Sequence, residues 1–219
     1  MFQSPKIVKK LKWHAQGKEN KGKLQHPMDS PTWQLVNQMW LGFSLDYRNL
    51  RLVILANGIS SHNSMTSRHS CWSVLTITYN LPPWLCMKRK FMMLSLLILG
   101  PRQPGNDVDA YFAPLIDDLK ALWEVGVKAY DAHQREFFTL KTILLWMIND
   151  LPAYGNLSGC TVKEYHACPI YGEEINSHWL KHGNKNSYTG HRRFISCNHP
   201  FRKQKKAFNG EQEFRLPPK

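Results

Sequence analysis

Asp150 is the residue best placed to do chemistry. It closes a mostly apolar run, residues 137–149, and Leu151-Pro152-Ala153 turns the backbone directly after it. A run of this kind is buried on both faces, as a central strand or as a core helix, and periodicity alone does not choose between them. Pro152 favours the strand, because proline suits the first turn of a helix and pushes its predecessor out of the helical region. The expected order is strand, then Asp150, then a new helix or turn. That order puts a carboxylate at the tip of a buried strand, where a metal ion or phosphate can approach. The alternative is that Asp150 caps the turn that follows.

Two further sets of residues lie towards the C-terminus. His166, Cys168, Cys197 and His199 form a candidate zinc set. Structural zinc normally draws on two close ligand pairs, and Tyr171 stands where the second thiolate of a CxxC pair would follow Cys168, so scattered surface His and Cys is the competing reading. His191, Arg192, Arg193, Arg202, Lys203, Lys205 and Lys206 lie in two stretches that mix basic and aromatic residues. They are candidates for tracking a nucleic-acid backbone. An acidic group, Asp107, Asp109, Asp117 and Asp118, is read instead as the first turn and solvated face of a helix.

The elements that must position these residues are legible in outline. Residues 50–56, LRLVILA, have a strand pattern that Asn57-Gly58 is expected to end as a turn. Residues 72–79 and 91–99 read as second and third strands, which makes a meander. Leu115, Ile116, Leu119, Leu122 and Trp123 recur at helical spacing, so residues 111–124 form an amphipathic helix on the sheet, ended by Gly126. Residues 127–132 are a further short strand. Near the N-terminus, residues 7–14 are weakly amphipathic, and Asp29 or Ser30 can cap a short helix through Trp33. Three segments follow: a basic N-terminal piece over 1–49, an α/β core over 50–159, and a basic, irregular, His/Cys-containing piece over 160–219.

Charge is unevenly spread. The net charge is +13, of which residues 1–26 carry +6 and residues 178–219 carry +8, leaving −1 for residues 27–177. Basic flanks around a near-neutral body favour a polyanion, nucleic acid first. Two solvated tails are the alternative. A hydrophobic content of 42% suits a packed core and argues against wholesale disorder. Five cysteines at irregular spacing and no secretory signal point to a reducing, intracellular setting. The longest apolar stretch, residues 91–99, falls well short of the roughly 20 residues that cross a bilayer, so no membrane is expected.

Several blocks together resemble one family: HPMDSPTW (26–33), YNLPPWLCMK (79–88), MMLSLLILGPRQPGNDVD (92–109), PLIDDLKALWEVGV (114–127), NDLPAYGNLSG (149–159) and GHRRF with NHPFRK (190–203). They are similar to the transposases of plant CACTA-type (En/Spm-like) DNA transposons, over nearly the whole chain. The resemblance implies a nuclear cut-and-paste recombinase of the DDE type, with a ribonuclease-H-like core whose acidic residues hold two Mg²⁺ or Mn²⁺ ions. It also implies DNA as partner, and self-association or an intact transposase as further partners. Its first acidic position falls on Asn57 and its second on Asp150. This chain departs from the family at both flanking details: an aspartate is expected at 57 and a glycine at 53, where Asn57 and Val53 stand. Position 171 lacks a family cysteine, and the third acidic residue is expected beyond Lys219. The expectation is therefore an incomplete ribonuclease-H-like α/β fold from a transposase fragment that has lost cleavage, with a catalytically silent DNA-binding remnant or a non-functional transposon product as the alternative. Asn57 and Asp150 should lie on neighbouring strands.

Overall fold

The computed structural model describes residues 1–16, 24–60, 70–100, 104–159, 165, 166, 168, 171–206 and 210–217, without the side chains of 59, 60, 70, 106, 151 and 152. The polar stretches 17–23 and 61–69, and Cys160, lie outside the described residues. The chain divides into two compact units, Met1–Asp150 and Leu151–Lys219.

In the first unit, α1 (Pro5–Leu11), α2 (Pro31–Met39) and α3 (Leu41–Leu45) precede β1 (Leu50–Ser60), β2 (Ser70–Thr78), α4 (Pro83–Cys86), β3 (Met92–Gly100) and α5 (Val108–Glu124). Then come β4 (Val127–Asp131), β5 (Glu136–Leu140) and β6 (Thr142–Asn149). The main sheet has the order β3-β2-β1-β6. The first three strands form the expected antiparallel meander, and β6 lies parallel to β1. A parallel neighbour requires a crossover, and α5 supplies part of it, packing on β6 and β3. Gly126, at φ +82°, closes α5 in the left-handed conformation that glycine adopts at no steric cost.

Lys6, Lys9 and Lys10 do not lie on a detached tail but on a helix that packs into the core. Val8 and Leu11 of α1 are fully buried in the same core as Leu50, Leu52, Val53, Ile77 and Leu81, while Lys6, Lys9 and Lys10 stay outside. Burying each of those two side chains contributes roughly 1.5–3 kcal/mol. Ser30 caps α2 by accepting from the Trp33 N–H at 3.2 Å, as its spacing suggested.

Two sequence expectations fail, each for a long-range reason. First, Asn57-Gly58 is not a turn. β1 continues through it, with Asn57 opposite Ser73 and Gly58 opposite Trp72. A Cβ on residue 58 would lie 2.8 Å from Trp72 Nε1, so glycine is needed here for close approach rather than for a bend. Second, the apolar run 137–149 is not one strand. β5 pairs with β4 in a separate two-stranded sheet, and only β6 joins the main sheet. Lys141 is the joint. Its N–H donates to Asn49 Oδ1 and its carbonyl accepts from Leu50 N, both at 2.9 Å. The β4–β5 turn is set by Asp131, whose Oδ1 accepts from His133 N and Gln134 N.

The second unit holds α6 (Leu151–Ser158), a β7 (Asn176–Leu180)/β8 (Lys185–Thr189) hairpin and α7 (Pro200–Lys203). α6 begins directly after Asp150, as Pro152 predicted. The unit is tied together by arginines. Arg202, only 2% exposed, donates through Nε to the carbonyls of Arg192 and Ile195, through Nη2 to those of Arg193 and Arg215, and through Nη1 to that of Glu213.

Candidate functional site

The sheet brings Asn57 and Asp150 together. The last registered pair of β1 and β6 is Ala56 with Asn149, so Asn57 and Asp150 each follow immediately on strands about 4.8 Å apart. Directly paired residues of neighbouring strands share a face, and their successors share the opposite one. Both residues are exposed. β6 ends here while β1 runs on beside β2, so the pair sits at the step where the sheet narrows. Two neighbours were not foreseen from the sequence. Ser73 stands opposite Asn57 on β2, and Asn149 carries a buried side-chain oxygen with no hydrogen-bond partner. Both follow from strand register, which local pattern does not reveal.

What this arrangement can hold is limited by charge. Two divalent ions about 4 Å apart need several anionic oxygens between them. The step offers one carboxylate, Asp150, and one amide, Asn57, on a shared face, while Asn149, the partner of Ala56, belongs to the opposite face. An amide brings one neutral acceptor oxygen, so this donor set does not fit a pair of metal ions. Among the described residues, no three of His, Cys, Asp and Glu converge on a common point.

The candidate zinc residues lie in the second unit with individual roles. His199 caps α7, its Nδ1 accepting from the Phe201 N–H at 3.1 Å. His166 Nδ1 donates to Gly172 O at 3.3 Å. Cys168 is half-buried and Cys197 exposed.

The basic candidates separate into two groups. Arg192, Arg193 and Arg202 point inward. Arg192 Nη1 donates to the carbonyls of Arg202, Gln204 and Glu211, and Arg193 donates to Glu174 O while lying against the rings of Tyr171 and Phe194. His191, Lys203, Lys205 and Lys206 face solvent. The second unit also has a cleft of about 860 Å³, lined by His178, Tyr188, Phe201, Phe214 and Arg215 among others. It closes only when the segment 211–215 folds back beside the hairpin, which no local spacing announces. Glu213 in its wall is held down to about pH 2 by its hydrogen bonds from Arg215, Nη2 to Oε2 at 2.7 Å.

No described helix is long and apolar enough to cross a membrane. No curated protein and no solved structure matches the chain. One family model does, that of transposase family tnp2, over residues 21–219. Membership of such a family implies interaction with DNA, in keeping with the basic surface. Since the match takes in nearly the whole sequence, both units included, the chain belongs to transposase family tnp2.

Proposed function

We propose that this chain carries the catalytic-core scaffold of a cut-and-paste DNA transposase of the CACTA type, in which strand cleavage has been lost and DNA binding retained. The observation that carries the reading is the parallel pairing of β1 with β6, which sets position 57 beside Asp150. A ribonuclease-H-like core has this order of strands, three in an antiparallel meander and a fourth returning parallel to the first. In such a core the two adjoining strand ends hold acidic residues for phosphodiester chemistry. Asn57 removes one of those charges. Mg²⁺ or Mn²⁺ would meet a single carboxylate, too little to steady both the attacking and the leaving oxygen. DNA remains the partner because phosphate neutralisation needs only accessible cations, and Lys203, Lys205 and Lys206 are exposed. Action on chromosomal DNA goes with a nuclear location.

The test is nicking of supercoiled plasmid in Mg²⁺ or Mn²⁺, alongside a DNA gel shift at low salt. The purified chain should cleave no more than a protein-free blank and should retard DNA. Robust nicking that Asp150→Ala abolishes would overturn the loss of cleavage. Failure to retard DNA at low salt would remove the binding role.

A further inference from the structure

We infer that the β7–β8 hairpin of the second unit is a DNA-reading ribbon, which enters the major groove of a duplex tip first. This role rests on the DNA binding proposed above and adds which element and which groove carry it.

Charge and exposure single the hairpin out. From residue 175 to residue 210 the sequence holds eight Lys or Arg and no Asp or Glu. The fold sorts these cations into two kinds. Arg192, Arg193 and Arg202 are buried and donate to backbone carbonyls. Lys181 and Lys185 instead sit at the turn that joins β7 to β8. Every residue from His178 to Lys185 is exposed, and among the described residues no carboxylate pairs with either lysine, whereas Arg215 is bound by Glu213. Two large apolar side chains are exposed beside them, Trp179 and Leu180. Cations and apolar groups on one tip match a groove that presents guanine O6 and N7 acceptors together with thymine methyl groups.

The buried arginines hold the hairpin by its root. Arg193 Nη1 donates to Glu174 O at 3.0 Å, which ties the chain after β8 to the chain before β7. Arg192 Nη1 fastens the same root to the carbonyls of Arg202 and Gln204. Gly190 lets the root close, since a Cβ there would lie 2.6 Å from Asn176 Nδ2. At the tip, Gly183 N donates to Leu180 O at 3.1 Å, and Asn184 takes the left-handed conformation, φ +47°, that asparagine tolerates. The hairpin therefore has a fixed base and a solvated end.

Size selects the groove. The major groove, about 12 Å wide, admits a two-stranded ribbon, whereas the minor groove, about 6 Å wide, is little broader than the spacing of about 4.8 Å between two strands. The five residues of each strand extend about 17 Å, roughly twice the groove's depth of about 8.5 Å, so the tip reaches base edges while the root stays outside.

The full chain is titrated by gel shift against four probes. These are a mixed-sequence duplex, that duplex with glucosylated hydroxymethylcytosine filling its major groove, that duplex with netropsin in its minor groove, and one of its single strands. Glucosylation should weaken binding about tenfold or more, as loss of base-edge contacts does, and netropsin should change it little. Lys181→Gln with Lys185→Gln should lose the sensitivity to glucosylation and lower the salt slope by up to about 2 at an unchanged thermal midpoint. Lys181→Arg with Lys185→Arg keeps both charges and should keep the slope. Equal affinity for the plain and glucosylated duplexes, displacement by netropsin, or tighter binding to the single strand overturns the ribbon and leaves the proposed DNA binding standing. A glutamine variant with the wild-type slope does the same. No shift of any probe at low salt removes the DNA-binding role and the ribbon with it.

Discussion

Arg202 shows how far a residue's type can mislead about its task. It lies in a basic run, yet its guanidinium is enclosed by five backbone carbonyls and makes no phosphate-accessible face. Lysine cannot replace it, because one ammonium offers three donors from a point rather than five from a planar fork. Arg202→Lys should therefore unfold the second unit almost as readily as Arg202→Ala, each costing at least about 3 kcal/mol through buried carbonyls left unpaired. Urea denaturation read by hydrogen exchange in residues 171–206 checks this; a variant that loses DNA affinity with unchanged protection would restore the phosphate role. His14 is a second residue whose position decides its chemistry. Burial and then the nearby Arg51 charge depress its imidazole from 6.5 to about 4, while its Nδ1–H donates to Leu11 O at 2.8 Å. A base with a lowered folded-state pKa favours folding only while neutral. Its contribution is complete above pH 6.5 and falls away between 6.5 and about 4, by up to roughly 3 kcal/mol. The thermal midpoint of the first unit should drop across that window, and His14→Gln should flatten the drop.

At the scale of elements, the parts read correctly from sequence are those fixed by local pattern. The three meander strands, the amphipathic α5 and the helix start after Asp150 all follow from periodicity, capping or proline geometry, which act within a few residues. The parts misread are those fixed by a distant partner. The hairpin β4–β5 hides in a continuous apolar run because its boundary at Lys141 is set by Asn49 and Leu50. Asn57-Gly58 carries strong turn chemistry, and the nine-pair β1–β2 ladder with Trp72 overrides it. The meeting of Asn57 with Asp150 was legible only through the family resemblance, since spacing alone left Asp150 a turn cap as readily as a ligand. The same Trp72 contact yields a prediction. Gly58→Ala drives a methyl group into the indole and should destabilise the first unit by about 1–3 kcal/mol. Gly58→Ala combined with Trp72→Leu should recover part of that loss, because the two changes share one contact. Chemical denaturation of the four chains measures the coupling; strictly additive costs would mean that the indole is not what excludes a side chain at 58.

For the whole molecule the governing quantity is where +13 of charge can meet a polyanion. Each unit contributes. The first presents Lys6, Lys9 and Lys10 on the outer side of α1, whose inner side is core, and the second presents Lys203, Lys205 and Lys206 at and after α7. With the buried arginines removed from the count, the exposed lysines among the described residues of the second unit are these three together with Lys181 and Lys185 of the hairpin. Neutralising a phosphate releases condensed counterions, so the logarithm of affinity falls with the logarithm of salt by about 0.9 per contact on duplex DNA. Changing Lys203, Lys205 and Lys206 to glutamine should lower that slope by up to about 3 while leaving thermal stability nearly unchanged, because exposed lysines contribute little to folding. Changing Lys6, Lys9 and Lys10 instead tests the first unit by the same measure. Equal slope losses would mean that both units lie along one DNA. A loss confined to the second set would assign binding to the C-terminal unit, and leave the Asn57–Asp150 step of the first without a strand to act on.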